Sequence, residues 1–261
     1  MKRQPTILLP GEVPSQLHTF LEGAAVYDSS CSPEARVWFL DKGPGFYLKK
    51  APKGKLEKEA ALTAYFHSQN MAAEVLSYER LDSDWLLTRR VPGEDCTYAP
   101  YLEDPERLCD TIAQTLRTLH ETAFDGCPVP DHTGAYLATA RHNHAIGRCD
   151  LELCSGDRHF ESPEAAWRFA ERHSSLLKTD TLLHGDYCLP NIMLDDWRFS
   201  GFIDLDNAGV GDRHVDLFWA IWSLQFNLKT DKYRSRFLDA YGRDRVCEEV
   251  LRTIAAIEAF G

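Results

Sequence analysis

The chain has 261 residues, 44% of them hydrophobic, and a net charge of −11 at neutral pH. That length suits one large domain or two small lobes, and the acidity argues against the basic stripe that a nucleic-acid partner needs. No apolar run reaches the roughly 18 residues of a membrane span, and the opening Met1-Lys2-Arg3-Gln4-Pro5 lacks the apolar core of an export signal. The eight cysteines form no C-x-x-C pair and no zinc-type cluster with histidine. Reduced thiols and a cytoplasmic location are therefore expected.

Residues 24–28, 35–40 and 45–49 read as three strands, separated by the turn-rich stretches Ser29-Ser30-Cys31-Ser32-Pro33 and Asp41-Lys42-Gly43-Pro44-Gly45. Alternation in the third strand puts Phe46 and Leu48 on one face and Tyr47 and Lys49 on the other, with Lys50 pointing away from Lys49. Residues 56–67 carry Ala, Leu, Tyr and Phe at helical spacing, and Glu57 and Glu59 fall on different sides of that helix. Strands at 74–78 and 85–88 follow, and Val91-Pro92-Gly93-Glu94 then breaks the pattern. The expected organisation is a strand-rich lobe over 1–90, a hinge at 91–94 and a second lobe over 91–261. From Pro105 onward the chain reads as mostly helical: Leu108, Ile112, Leu116 and Leu119 form an apolar stripe, and 136–153 and 163–177 are further helix candidates. A nearly all-apolar helix is expected over 215–226, then helices over 233–241 and 245–260.

Between these helices lies Leu183-His184-Gly185-Asp186-Tyr187-Cys188-Leu189-Pro190-Asn191, followed by Ser200-Gly201-Phe202-Ile203-Asp204. An Asp stands five residues before an Asn, and another Asp thirteen residues after it. A lone His-Gly-Asp is usually only a turn. Here it follows the apolar run Thr181-Leu182-Leu183 and precedes two more, 192–194 and 199–205, with a polar turn between them. A loop followed by a short hairpin would bring Asp186, Asn191 and Asp204 to one end of the strands. Phosphoryl transfer from a nucleoside triphosphate needs such a set: one carboxylate to orient and deprotonate a hydroxyl, and an amide oxygen and second carboxylate to hold Mg²⁺.

On these motifs the chain resembles the aminoglycoside phosphotransferases, and within them the 3′-phosphotransferase (kanamycin kinase) group. Weaker similarity runs from about Ser32 to Phe260. The resemblance implies an α+β, bilobal, protein-kinase-like fold: a β-rich N-lobe, a mainly helical C-lobe and an active site in the cleft. It implies that Asp186 is the catalytic base and that Asn191 and Asp204 bind magnesium, with Asp206 as the rival of Asp204 on strand alternation. Lys49 matches the phosphate-bracing lysine and Glu59 its partner. Ser32 matches a phosphate-cradling turn, Tyr47 an aromatic that stacks on adenine, and Arg89 and Val91 the backbone groups that read adenine. ATP is the implied phosphoryl donor, with GTP as the alternative.

The implied acceptor is a polycationic aminoglycoside, phosphorylated at a 3′-hydroxyl to confer antibiotic resistance, in a monomer or dimer with no nucleic-acid or membrane partner. Candidate acceptor carboxylates are Asp150, Glu152 and Asp157, of which Asp157 aligns best, together with Glu258 and the Gly261 terminus. Two departures bear on the acceptor. Asp206-Asn207 stands where relatives often have Gly-Arg, and Phe226-Asn227 stands where they often have an acidic pair. The rival readings are a kinase of another hydroxylated small molecule (a macrolide, an amino alcohol or a sugar-like compound) and a nucleotide-binding scaffold without catalysis.

Overall fold

The computed structural model describes residues 3–31, 33–151, 153 and 160–261. The chain forms two compact units, Met1–Cys96 with Pro190–Asp206, and Thr97–Leu189 with Asn207–Gly261.

The first unit is built on a six-stranded antiparallel sheet of order β1-β2-β3-β4-β6-β5, comprising β1 (Gln4–Pro5), β2 (Ala25–Asp28), β3 (Arg36–Asp41), β4 (Phe46–Pro52), β5 (Val75–Arg80) and β6 (Ser83–Arg89). The three strands expected before residue 50 are present, preceded by the two-residue β1 paired to β2. Trp38, Leu40, Phe46, Leu48, Trp85 and Leu87 bury one face of the sheet together with Leu17 and Leu21. Trp38 and Trp85 stack there with centroids 6.0 Å apart. On the other face, Ala51 and Leu86 meet Leu56, just before the Glu57–Ser68 helix, and Ala60 within it. The start of that helix is tied down by Asp84, whose carboxylate accepts from the Leu56 N–H at 2.9 Å and the Tyr78 hydroxyl at 3.0 Å.

Residues 190–206 join this unit because their hairpin completes a small sheet begun at Glu94–Asp95. The strand β9 (Ile192–Asp195) lies between β10 (Arg198–Phe202) and the two-residue β7 (Glu94–Asp95). Gly93 makes this approach possible. It has φ +86°, and a Cβ there would collide with the Leu194 carbonyl.

The second unit is mainly helical. Its principal helices are Pro105–Glu121, His132–Ala145, Pro163–His173, His214–Leu228, Arg234–Tyr241 and Glu248–Glu258. Leu108, Ile112, Leu116 and Leu119 are all fully buried, as their spacing predicts. Several helix starts are set by caps. Asp104 accepts from the Arg107 N–H ahead of Pro105, and Ser162 accepts from the Ala165 N–H ahead of Pro163. Asp131 caps the His132–Ala145 helix four residues before the expected start, and Gly147 at φ +73° follows its end. The strand β8 (Thr181–Leu183) pairs with β11 (Gly209–Gly211). Among the described residues, no helix is long and apolar enough to cross a membrane.

Candidate active site

The Lys49 side chain is the hub of the first unit. Its strand presents Lys49 on the face opposite Leu48, as alternation requires. Lys49 Nζ donates to both Glu59 oxygens, at 3.0 and 2.8 Å, and to Asp204 Oδ1 at 3.0 Å. Glu59 comes from the third residue of the helix that Asp84 anchors and is buried, whereas the Asp204 side chain is 56% exposed. Burial opposes the Lys49 charge, but the Asp204 and Glu59 carboxylates outweigh it and raise the lysine pKa, so the ammonium is retained. Burial raises the Glu59 pKa, Lys49 pulls it back, and the Asp204 and Asp206 charges add to the rise. Lys50 is directed elsewhere, with its Nζ over the Trp85 ring at 4.6 Å.

Asn191 closes a short 3₁₀ turn, Leu189–Asn191, and is buried at the start of β9. Its carbonyl accepts from the Ile203 N–H at 3.1 Å, which sets Asn191 beside the residue preceding Asp204. Asp204 itself is held at φ +55°, a backbone region that side chains other than glycine seldom occupy. Asn191 and Asp204 thus stand together at the open end of the hairpin, each with a hard oxygen donor.

The other residues expected on the nucleotide side are more dispersed. Tyr47 is half-buried, its ring 5.2 Å from Phe39, and its hydroxyl accepts from Arg3 at 3.3 Å. The Arg89 N–H donates to the Glu74 carbonyl at 2.9 Å, so an adenine contact from Arg89 would have to come from its carbonyl. Val91 is buried in the hinge. Ser32 lies outside the described residues.

In the second unit, Asp186 is half-buried at the turn after β8. A buried network that the sequence reading did not single out fixes this turn. Asp216, in the His214–Leu228 helix, accepts from the His184 N–H at 2.9 Å and the Gly185 N–H at 2.7 Å. His120 Nε2 lies 3.0 Å from the same carboxylate, and the Tyr241 hydroxyl lies 2.8 Å from His120 Nδ1. Burial lowers the His120 pKa, which keeps the ring neutral; it donates through Nε2 and accepts from Tyr241. Burial works against the Asp216 charge, but the hydrogen bonds from His120 and the His184 N–H lower its pKa on balance. Gly185 has φ +82°, and a Cβ there would strike the Asn207 carbonyl oxygen. Further along the loop, the Leu189 N–H donates to Ser223 Oγ at 2.9 Å. Asn227, half of the departure from the acidic pair, donates to the Ser223 carbonyl at 2.8 Å. Its partner Phe226 stacks on Trp222 at 5.0 Å.

Of the acceptor candidates, Glu258 is buried rather than solvent-facing, and its Oε1 accepts from the Tyr136 hydroxyl and the Trp219 indole N–H. The Gly261 N–H donates to the Glu258 carbonyl at 3.1 Å. The Asp150 carboxylate accepts from the Leu153 N–H at 3.0 Å. Asp157 and Glu152 lie outside the described residues.

A lysine clamped by a helix glutamate, beside an Asp that follows a short hairpin, on a sheet joined to a helical unit, defines a protein-kinase-like phosphotransferase fold. The sequence profile of the phosphotransferase enzyme family matches residues 32–253, and the chain belongs to that family. A Lactococcus lactis protein named "Probable aminoglycoside 3′-phosphotransferase" is 49% identical over 249 residues, covering 95% of each chain. An aminoglycoside 3′-phosphotransferase of Streptomyces fradiae is 30% identical, covering 91% of each. Among solved structures, the crystal structure of an aminoglycoside-3′-phosphotransferase of type VIII superposes with TM-score 0.76 at 25% identity, over 92% of this chain and 94% of that one. A Streptomyces rimosus aminoglycoside phosphotransferase in complex with ADP and streptomycin shares the fold, with TM-score 0.68 at 23% identity over 86% and 90% of the two chains.

Proposed function

We propose that the protein is an aminoglycoside O-phosphotransferase that transfers the γ-phosphoryl group of ATP to a 3′-hydroxyl and so confers resistance. The observation that carries this reading is the Glu59–Lys49–Asp204 chain of ion pairs, in a member of this family. A lysine held between two carboxylates is rigid and charged, as a group bracing triphosphate oxygens must be.

Nucleotide binding is assigned to the unit carrying Lys49, Glu59, Asn191 and Asp204, with Tyr47 and the Arg89 and Val91 backbone at the adenine and Ser32 at the phosphates. Acceptor activation is assigned to the unit carrying Asp186, with Glu258, Gly261 and Asp157 receiving ammonium groups. Asn191 and Asp204 fit a magnesium ion: both offer oxygen donors, Asp204 is open to solvent, and Mg²⁺ usually takes one or two carboxylates and completes its octahedron with phosphate oxygens and water. When bound, the ion would neutralise charge on the β- and γ-phosphates. Asp186 accepts the hydroxyl proton as the acceptor oxygen bonds to the γ-phosphorus, and the bond from that phosphorus to the β,γ-bridging oxygen breaks, releasing ADP. Orientation and charge neutralisation supply most of the acceleration.

The test is incubation with ATP, Mg²⁺ and kanamycin, neomycin, gentamicin and several uncharged alcohols, followed by mass spectrometry for an added phosphate. Phosphorylation of the aminoglycosides at the 3′ position is the expected result. Phosphorylation confined to neutral acceptors would leave a small-molecule kinase with another substrate.

A further inference from the structure

The carboxylate of Glu258 occupies a place that helix physics makes unfavourable. Glu258 is the last residue of the Glu248–Glu258 helix, where exposed carbonyls form the negative end of the dipole, and it is buried. Two neutral donors converge on one oxygen of this group. The Tyr136 hydroxyl donates to Oε1 at 2.9 Å, and the Trp219 indole N–H donates to it at 3.0 Å. Neither donor can swing freely. Tyr136 stacks on His132 with ring centroids 5.7 Å apart, and Trp219 is wedged edge-on between Phe218 at 5.2 Å and Trp222 at 5.6 Å. Burial, the Glu258 charge and the hydrogen bond keep the Tyr136 hydroxyl protonated, so it remains a donor. Three helices therefore contribute to orienting a single carboxylate, where an apolar side chain would pack at lower desolvation cost.

We propose that Tyr136 and Trp219 are positioning residues for acceptor recognition: by holding Oε1 of Glu258 they fix the carboxylate in one orientation toward an ammonium of the amino sugar. The inference rests on the aminoglycoside reading above. A side chain that is already immobilised has no rotamer freedom left to surrender when ligand arrives. The contact is made equally in the ground and transition states, so its loss appears in KM rather than in kcat.

Two variants test this without emptying the core. Tyr136→Phe removes the hydroxyl, and Trp219→Phe removes the N–H while keeping an aromatic ring in the stack. Each is expected to raise the aminoglycoside KM about two- to twelvefold, the scale of ordering one freed side chain on binding. The ATP KM and kcat should stay within about twofold. The sharper readout is a double-mutant cycle with Glu258→Gln. If the two residues act through Glu258, adding Tyr136→Phe or Trp219→Phe to Glu258→Gln should change the aminoglycoside KM little. Full additivity overturns the proposal, as does a lowered melting temperature with unchanged KM, which would make the pair a packing contact. An unchanged KM in variants of an active enzyme defeats this inference alone. A wild-type enzyme that phosphorylates no aminoglycoside defeats the functional reading and the inference together.

Discussion

The Lys49 ammonium lies between two carboxylates, one buried and one 56% exposed, whereas the Asp216 carboxylate is wholly enclosed and met by two backbone N–H groups and a histidine. The first cluster is made of formal charges with one side open to solvent. The second is a carboxylate satisfied by hydrogen bonds from residues that expose nothing. In the open cluster Asp204 is the accessible member, so its pairing with Lys49 is the one that a triphosphate bound as proposed would replace. The closed cluster has no such freedom, and its partners are the peptide groups of the turn that carries Asp186. Under the proposed function the first region would handle the ligand charge while the second keeps a loop still, and substitutions should separate the two by whether stability or turnover is lost.

The largest effect is expected in the closed region. Asp216→Ala leaves the His184 and Gly185 N–H groups and His120 without their common acceptor. Removing one partner from a buried charged network costs about 3–5 kcal/mol. Urea denaturation of the variant should show this loss, together with reduced turnover in the molecules that remain folded. A variant with unaltered stability would mean that the carboxylate does not hold the turn.

Asp186→Asn should do the reverse. The side chain is half-buried, and its neighbours keep their contacts with Asp216 when it changes. Turnover should fall by about 10²-fold or more, the scale of a general base, with the ATP KM and the melting temperature close to wild type. Near-normal turnover would remove Asp186 from the role of base.

Much of the open region was legible in the sequence, because its members sit inside local patterns. Lys49 alternates with Phe46 and Leu48 along one strand, Glu59 lies early in the next helix, and Asn191 and Asp204 carry a recognisable spacing with Asp186, which itself lies on the turn that the closed region holds. The closed region was not legible. His120 and Asp216 are 96 residues apart and His120 and Tyr241 are 121 apart, and each reads singly as an ordinary residue of a helix. Asp84 was missed for a related reason: it falls one residue before the strand expected over 85–88, and its partners Leu56 and Tyr78 come from two other parts of the chain. The association of 190–206 with the first unit depends on pairing to Glu94–Asp95, a strand too short to show any period.

Acid should bear on the closed region through its histidine. The folded-state pKa of His120 is depressed below its ordinary value of 6.5, chiefly by burial, so the unfolded chain takes up a proton there that the folded chain refuses. Its contribution is complete above about pH 6.5 and is lost as pH falls, by about 1.4 kcal/mol per pH unit for one proton. The depressed carboxyl of Asp216 adds its own loss only below its ordinary value of 3.8. Stability measured from pH 7.5 to 5 should therefore decline, and His120→Gln should flatten that decline. An equal slope in the variant would assign the proton uptake to another group.

The smallest effect compares two adjacent residues. Lys49 and Lys50 are neighbours with the same charge, and only their faces of the strand distinguish them. Lys50 rests over the Trp85 ring at 4.6 Å, on the side that carries the buried tryptophan pair. Such a contact is worth about 0.5–1 kcal/mol at an accessible site. Lys50→Ala should lower stability by no more than that and leave the ATP KM unchanged. Lys49→Ala should raise the ATP KM markedly, since the ammonium that Glu59 and Asp204 hold in place is gone. The pair isolates orientation from charge, because both variants lose one positive charge at adjacent positions. If Lys50→Ala weakened ATP as much as Lys49→Ala does, the general field of the lobe, rather than a directed ammonium, would be what the nucleotide feels.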